Sequence, residues 1–386
     1  MTSIVQWVYN TPRQLEANEI DSVDVKPSDF PAEQDPFGDE REETVKYKTM
    51  TWWQTGMGTF TVFPIVIIVS LELIVGIFTI LLVGLISTYT GYTIGNLKAQ
   101  HPGIHSMADA GDLLFGKAGR HVLGFGQLVF FIFVMGSHIL TFSIMMNILS
   151  DHSACTILYS STGLLISFLL TLPRRLERLS HLSTVSFISI IGAVLTSIIG
   201  VSANKMVISP VPLFAPVPTV HDACLAIANI IFAYAGHVAF FTLFSELRDI
   251  KDFPKALSLL QMCEMVMYTI SAIVIYLYVG ASVTSPALNS GGILYRKISY
   301  GIAIPTIVIG GVVNAHVAVK FIYVRLFRGT NSMHTRSFAA RAAWAGICAA
   351  LWIVSWLIAE GIPVFNDVLG LAVCSSLVQQ CSRIHF

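Results

Sequence analysis

The sequence Phe232-Ala233-Tyr234-Ala235-Gly236-His237 lies in the middle of an apolar segment over residues 221–245. A segment of this length can cross a bilayer as a helix, because a crossing takes about 20 mostly apolar residues. Small and polar residues occupy its centre, where a bilayer is most apolar. Either the helix is interrupted there, leaving backbone groups for protein, water or a ligand to satisfy, or the small residues let helices pack closely.

Apolar segments of similar length recur beyond residue 50, separated by short polar stretches. We predict ten membrane helices, near 52–70, 73–95, 122–148, 155–172, 182–202, 221–245, 257–280, 299–324, 342–360 and, with a shorter apolar stretch, 364–380. Of all residues 54% are apolar and 12% are charged, against about 25% charged in an ordinary soluble domain. The composition excludes a soluble enzyme, a nucleic-acid binder and a disulfide-stapled secreted domain. It predicts an all-α polytopic membrane protein, with the lipid bilayer as its partner.

Charged residues are unevenly distributed, and their distribution predicts the orientation of the chain. The first 50 residues contain 5 Lys+Arg and 11 Asp+Glu, and this polar, acidic composition is typical of a disordered tail. In the loops that follow, Lys and Arg number thirteen on one side of the predicted membrane and three on the other. Because positively charged loops stay in the cytosol, we expect a cytosolic N-terminus.

The ten predicted spans divide into two sets of five, over residues 51–202 and 221–380. Five is an odd number of crossings, so the two halves would have opposite orientations, as in secondary transporters built from inverted repeats. Span 1 would then be the counterpart of span 6. It contains Gly56, Gly58 and Pro64, which can unwind a helix or merely kink it.

A helix interrupted near residues 234–236 would present partial positive charge at a new N-terminus and partial negative charge on freed carbonyls. A zwitterionic amino acid matches this pair of charges through its carboxylate and its ammonium group. Polar or kink-forming residues in spans 1, 3 and 8 would complete the same pocket. The predicted substrate-binding residues are Gly58, Ser137, Phe232, Tyr234, Ala235, Gly236, Thr306 and Asn314.

Several titratable residues fall inside predicted spans. His138, His237 and His316 are candidates for relaying a coupled proton, since histidine titrates near physiological pH. The alternative for each is a neutral ring that makes one interhelical hydrogen bond. Glu264 is expected to face a water-filled cytosolic vestibule, and Lys320 is expected to extend towards the membrane surface.

Cysteine spacing and catalytic motifs bear on the remaining functions. Cys155 and Cys224 both fall at outer ends of spans, where a disulfide between them can form; two buried free thiols are the alternative. No Cys or His spacing is typical of a metal site, and the sequence has no nucleophile–base motif or phosphate-binding loop. We therefore expect no metal, no cofactor and no enzymatic activity.

Several stretches resemble the amino acid/auxin permease (AAAP) family, and most closely its fungal neutral amino-acid permeases. The stretches are Tyr47-Lys48-Thr49-Met50-Thr51-Trp52-Trp53-Gln54, Thr88-Tyr89-Thr90-Gly91-Tyr92, His105-Ser106-Met107-Ala108-Asp109-Ala110-Gly111 with Leu114-Phe115-Gly116, Phe133-Val134-Met135-Gly136-Ser137-His138, Phe232-Ala233-Tyr234-Ala235-Gly236-His237 and Gly301-Ile302-Ala303-Ile304-Pro305-Thr306. The resemblance implies the 5+5 inverted-repeat fold of the APC superfamily, with discontinuous helices 1 and 6 and a pocket lined by spans 3 and 8. It also implies import of amino acids with protons rather than sodium, and it favours the plasma membrane over the vacuolar membrane.

Two departures from the family pattern affect the expected function. Only Thr55-Gly56-Met57 separate Gln54 from Gly58, where the family has a longer stretch leading to the break that holds the substrate carboxylate. The chain also stops after span 10, whereas the family continues into an eleventh span. We expect a proton-coupled transporter of neutral amino acids that works by alternating access. The alternative is a truncated, non-transporting isoform or an amino-acid sensor of the same fold.

Overall fold

The computed structural model of the chain describes residues 50–58, 73–174, 176–203, 227, 229–279, 287–290, 292–327 and 337–362. These residues form α-helices and two short 3-10 helices, Ile250–Asp252 and Ala287–Ser290, and contain no β-strand. The α-helices are α1 (Trp52–Gly58), α2 (Leu73–Gln100), α3 (Met107–Leu149), α4 (Thr156–Thr171), α5 (Leu176–Ala203), α6 (His237–Ser245), α7 (Phe253–Val279), α8 (Ile293–Phe327) and α9 (Phe338–Gly361).

The helices occupy predicted spans 1 to 9, and several begin earlier or end later than predicted. Within the described part of the chain, six segments are long and apolar enough to cross a membrane: Val75–Gln100, Met107–Leu149, Leu182–Ala203, Ile250–Tyr278, Ile293–Phe327 and Phe338–Gly361. Thr156–Thr171 and Asn229–Ser245 are shorter apolar helices. The acidic tail, the rest of predicted span 1 and predicted span 10 lie outside the described residues.

Two of the stretches that resemble the permease family form the beginnings of helices. Before α1, the Gln54 side chain accepts hydrogen bonds from the Thr51 backbone N–H at 3.0 Å and from the Thr51 hydroxyl at 2.8 Å. Before α3, the Ser106 hydroxyl accepts from the Asp109 N–H at 3.3 Å and donates to the Asp109 carboxylate at 2.9 Å. Side chains thus satisfy backbone groups that have no partner at the start of a helix.

Gly116 divides α3 into a short first part and a long membrane-crossing part. Its φ is 62° and its ψ is −152°, a region of backbone conformation that essentially only glycine adopts. A β-carbon added to Gly116 would meet nothing within 4 Å. The backbone conformation, and not close packing, therefore requires glycine at this position.

α8 lies at the centre of the described bundle, where it packs against α3, α4, α5 and α9. Ala315, Val317 and Ala318 of α8 are fully buried, since small and β-branched side chains let neighbouring helices approach closely. Large apolar side chains cover the outside of the bundle, as a lipid-facing surface requires. Examples are Phe78, Leu85, Phe125, Ile188, Met262 and Leu357.

The sixth span packs against α3, α8 and α9 through Phe232, Ala235 and Val238, and against α2 and α7 through the residues just before α6. Both helices contribute to one buried cluster with the residues just before α6; its members are Ile80, Ile230, Ala233, Tyr234, Tyr268, Ala272 and Tyr276. α7 also packs against α1 and α5. The interruption predicted from the sequence therefore lies inside the protein, between helices, and not against lipid.

Candidate functional site

The sixth span is interrupted where the sequence predicted. Residues 229–233 are helical, 234–236 form a turn, and α6 continues from His237. Across the turn the hydrogen bonds shorten from the helical spacing: Ala235 N–H donates to Phe232 O at 3.0 Å, and Ala239 N–H donates to Gly236 O at 3.0 Å. The prediction of a discontinuous helix 6 is confirmed. The continuation of helix 1 beyond Gly58 lies outside the described residues.

The carbonyl groups freed by the turn are satisfied by protein side chains. The Tyr268 hydroxyl of α7 donates to Ala233 O at 3.3 Å. The carbonyl oxygen of Tyr234 lies 2.8 Å from Nδ1 of His237. Because an unsatisfied backbone group is costly in an apolar interior, these two contacts stabilise the turn in the closed arrangement that the structure shows.

His237 connects the turn to α2 and is almost completely buried. Its Nε2 lies 2.7 Å from the backbone oxygen of Ser87 and 3.1 Å from the hydroxyl of Thr90. A carbonyl oxygen only accepts hydrogen bonds, and each ring nitrogen faces one, at Tyr234 and at Ser87. A neutral ring can donate to one of these carbonyls and a charged ring to both, while a neutral Nε2 can accept from the Thr90 hydroxyl.

The side chains around the turn are packed differently. Phe232 is buried against Phe130 of α3, with ring centroids 6.1 Å apart. Tyr234 makes an edge-to-face contact with Tyr268 at 5.4 Å, and its hydroxyl lies 3.1 Å from where a β-carbon on Gly84 of α2 would be. Ala235 is buried, whereas Gly236 is partly exposed. Gly236 is thus the accessible part of the turn.

The polar residues predicted in spans 3 and 8 are engaged elsewhere in this structure. The Ser137 hydroxyl donates to Val134 O of its own helix at 2.7 Å. Asn314 donates to Gly310 O, also of its own helix, at 2.9 Å. Thr306 reaches α5, where its hydroxyl donates to Ser186 O at 2.6 Å and to the Ser189 hydroxyl at 3.2 Å. None of these hydrogen bonds joins the three side chains to the turn at 234–236.

The other two histidines make interhelical contacts. Nδ1 of His138 lies 2.9 Å from Ile307 O, which joins α3 to α8. Nε2 of His316 lies 2.7 Å from Pro173 O, and its ring packs 5.1 Å from that of Trp344. His138 thus contacts a helix and His316 contacts the link between α4 and α5, and neither hydrogen bond reaches the turn of the sixth span.

Gly58 and the two cysteines add little to the site. Gly58 is the last residue of α1. Cys155 immediately precedes α4 and is an exposed free thiol, and Cys224 lies outside the described residues. The thiol of Cys155 is thus exposed and not buried, and its pairing with Cys224 stays a prediction.

Two buried charged features were missed by sequence reasoning. Lys320 does not extend to the membrane surface: it is 2% exposed and donates to Glu246, which is 0% exposed. Glu264 is 2% exposed and does not line an open vestibule; its Oε2 is enclosed without a hydrogen-bond partner. The sequence did contain a signal for the pair of Lys320 and Glu246: the two opposite charges lie at the ends of spans 8 and 6, on the same side of the predicted membrane.

The sequence was compared with known families, and residues 43–378 match the family described as "Transmembrane amino acid transporter protein". The chain belongs to this family. The resemblance found in the sequence is thereby confirmed, and the protein is an integral, multi-pass membrane protein of an amino acid transporter family. Membership implies a transport role and not an enzymatic one.

Three fungal proteins are similar to this member of the family. The "N amino acid transport system protein" of Neurospora crassa is 31% identical over 318 residues, covering 80% of this chain and 67% of that protein. A "Transmembrane transporter" of Gibberella moniliformis is 28% identical, covering 74% of this chain and 62% of that protein. A "Transmembrane transporter" of Fusarium pseudograminearum is 26% identical, covering 96% of this chain and 81% of that protein.

The fold is shared with a solved transporter. The substrate-bound, outward-open state of a Na⁺-coupled sialic acid symporter superposes with a TM-score of 0.55, covering 86% of this chain and 79% of that one. The two sequences are 15% identical, so this likeness concerns the fold alone. The predicted inverted-repeat class is confirmed at this level.

Proposed function

We propose that the protein is a secondary active transporter that moves neutral amino acids across the membrane together with protons, by alternating access. The observation that carries this proposal is the buried interruption of the sixth span at Tyr234, Ala235 and Gly236. A family of amino acid transporters supplies the substrate class. The turn supplies backbone carbonyls that are bonded to side chains and not to the helix, and a zwitterion can compete for them.

In the proposed mechanism the substrate lies beside Gly236, the accessible residue of the turn, with Phe232, Tyr234 and Ala235 around it. Its ammonium group would compete for the carbonyl oxygens that His237 and Tyr268 occupy in the closed structure. Gly58, Ser137, Thr306 and Asn314 remain candidates for the rest of the pocket, and they would have to exchange their present hydrogen bonds for substrate.

His237 is the histidine that best suits proton coupling, with His138 and His316 as the other candidates. Its two nitrogens face the carbonyls of Tyr234 and Ser87, so its protonation state changes the contact between the turn and α2. Loss of one proton removes one of two hydrogen bonds and weakens that contact. This supports a role for the proton in the movement of the turn.

Uptake by purified protein in proteoliposomes tests the proposal. We expect an inward proton gradient to drive accumulation of radiolabelled neutral amino acids from a panel containing alanine, leucine, serine and phenylalanine. A protonophore should reduce accumulation to the equilibrium level. Uptake that is indifferent to the proton gradient would remove the coupling, and binding of an amino acid without any uptake would identify the sensor of the same fold.

The position of the site is tested by one substitution made at two glycines. Gly236→Leu places a large side chain at the accessible part of the turn and should abolish uptake while leaving membrane expression intact. Gly346→Leu in α9 is the matched control, because a β-carbon there meets nothing within 4 Å, and it should transport normally. Wild-type rates in Gly236→Leu would exclude the turn from the substrate site.

We further propose that the N-terminus is cytosolic and that the protein resides in the plasma membrane. The excess of Lys and Arg in alternate loops supports the orientation. Protease protection of an N-terminal epitope tag in intact cells, with microscopy of a fluorescent fusion, tests both statements. Cleavage of the tag from outside the cell contradicts the orientation, and labelling of vacuoles contradicts the location.

A further inference from the structure

Glu264 is a buried carboxyl group without a hydrogen-bonding or cationic partner among the described residues. It lies on α7, is 2% exposed, and its Oε2 is completely enclosed. The Tyr234 hydroxyl, which belongs to the turn of the sixth span, is a second enclosed polar atom without a partner. The Tyr234 ring packs 5.4 Å from that of Tyr268, one helical turn from Glu264 on α7, so an acid of α7 adjoins the part of the chain that the proposed mechanism moves.

Among the described residues, Glu264 makes no ion pair with a cationic side chain. The titratable residues that interact with it electrostatically are Tyr234 of the turn and, on α7, its sequence neighbour Cys263 and Tyr268 one turn further on. α2 packs on the same turns of α7 through Thr88, whose hydroxyl lies 3.5 Å from Oε1 of Gln261. α1 carries no titratable residue, and the titratable residues of α5 lie in its first two turns, at Glu177, Arg178 and His181.

The chemistry of such a carboxyl group depends on access to water. An ionised carboxylate enclosed in an apolar interior without a cation or hydrogen-bond donor is strongly disfavoured, so the neutral acid is stable while the site is closed. When water enters, the carboxylate is solvated and the proton can leave. A group of this kind exchanges its proton only in those conformations that open its surroundings to one side of the membrane.

We propose that Glu264 binds the proton that is transported together with the amino acid. This inference rests on the proposed function and adds a carboxyl group to the histidines already considered. Glu264 takes its proton from the outer solution when the site is open to that side, keeps it while Tyr234 and α7 enclose it, and gives it to the inner solution after the site opens inwards.

The test compares Glu264→Gln, which retains the shape of the neutral acid, with wild type in proteoliposomes. With the most rapidly transported amino acid of the panel, one proton per substrate and a gradient of one pH unit, wild type should accumulate about tenfold. Glu264→Gln should still exchange labelled for unlabelled substrate, yet accumulate only about onefold, with no acidification of a trapped pH dye. Accumulation and proton uptake equal to wild type in Glu264→Gln would overturn the inference.

Glu360→Gln is the matched control, because Glu360 of α9 is a carboxyl group that accepts a hydrogen bond from Ser160. Glu360→Gln should retain both accumulation and proton uptake. If Glu360→Gln loses both as well, the loss is common to carboxyl groups in the membrane, and the assignment to Glu264 is overturned. If Glu264→Gln exchanges no substrate at all, the test turns to Glu264→Asp, which restores an acid. Failure of Glu264→Asp to recover exchange would also contradict the inference.

A spectroscopic measurement separates this inference from the proposed function. The infrared difference spectrum of wild type minus Glu264→Gln should contain the C=O band of a protonated carboxyl group that shifts in D₂O. Absence of that band overturns the inference even if wild type transports amino acids. Wild type that transports no amino acid at all overturns the proposed function, and with it the coupling role, while the band would persist.

Discussion

The buried ion pair between Lys320 of α8 and Glu246 leads to a strong prediction about stability. Glu246 follows α6 directly, and its backbone oxygen also accepts a hydrogen bond from Met50 N–H at 3.0 Å. Arg248 N–H in turn donates to Met50 O at 3.1 Å. The pair therefore stabilises a junction where three parts of the chain meet: Met50, which lies two residues before α1, the link from α6 to α7, and α8.

Lys320→Met keeps the aliphatic part of the side chain and removes the charge, which leaves Glu246 buried and uncompensated. Removal of one partner of a buried pair costs about 3–5 kcal/mol. At about 2.1 cal/mol/K of unfolding entropy per residue, a chain of 386 residues loses roughly 1.2 °C in Tm for each kcal/mol, so the expected decrease is roughly 4–6 °C. Replacing both charges, in Lys320→Met with Glu246→Leu, should restore a Tm near that of wild type, because the cost arises from the unpaired charge and not from the lost attraction.

The assay is thermal unfolding of the purified proteins in one detergent, followed by the fraction that remains monodisperse. The single variants Lys320→Met and Glu246→Gln should both melt below wild type, and the double variant above both of them. A double variant as unstable as the single ones would refute the reasoning, because it would show that the site depends on the pair itself. Single variants within about 2 °C of wild type would show that water reaches the pair.

Three further predictions concern packing, backbone conformation and pH. Gly95→Ala puts a β-carbon 2.6 Å from Cζ of Phe253 and closer to other ring atoms, so thermal unfolding should show a loss of about 1–3 kcal/mol; an unchanged Tm contradicts it. The β-carbon of Gly116→Ala meets no atom within 4 Å, so this variant should lose about 1–3 kcal/mol of stability from backbone strain alone. A Tm equal to that of wild type would contradict this. The hydrogen bond from Lys297 and then its charge lower the pKa of Asp151 below the usual 3.8. The ionised form thus stabilises the fold above that pH, so the Tm difference between wild type and Asp151→Asn should narrow as pH falls through the lowered pKa; a constant difference from pH 7 to pH 3 contradicts it.

The positions of the helices could be predicted from the sequence because they depend on local composition. An apolar stretch long enough to cross a bilayer must satisfy its own backbone, and a helix does so without help from distant residues. The Thr51-to-Gln54 and Ser106-to-Asp109 helix starts have the same local origin. Span 3 was predicted to begin near residue 122, because the polar residues before it obscure the helical part that precedes the kink at Gly116.

The partners of polar side chains could not be predicted, because they come from distant parts of the chain. Lys320 was expected to reach the membrane surface, yet its partner Glu246 is 74 residues away in sequence. Thr306 was expected near substrate, and its hydroxyl donates to Ser186 of α5, 120 residues away. Depth in the membrane is encoded along one span, but which face of a helix meets which neighbour is decided by packing of the whole bundle.

The sixth span combines both kinds of information. Its sequence places small and polar residues at the centre of the span, and the interruption is present at 234–236. The groups that satisfy the interruption come from α2 and α7, through His237 with Ser87 and through Tyr268. In the proposed mechanism a substrate ammonium that takes over these carbonyl oxygens breaks the contacts of the turn to both helices. Binding of the substrate and release of the turn would therefore be one event, because the same few backbone groups cannot serve the closed protein and the ligand at once.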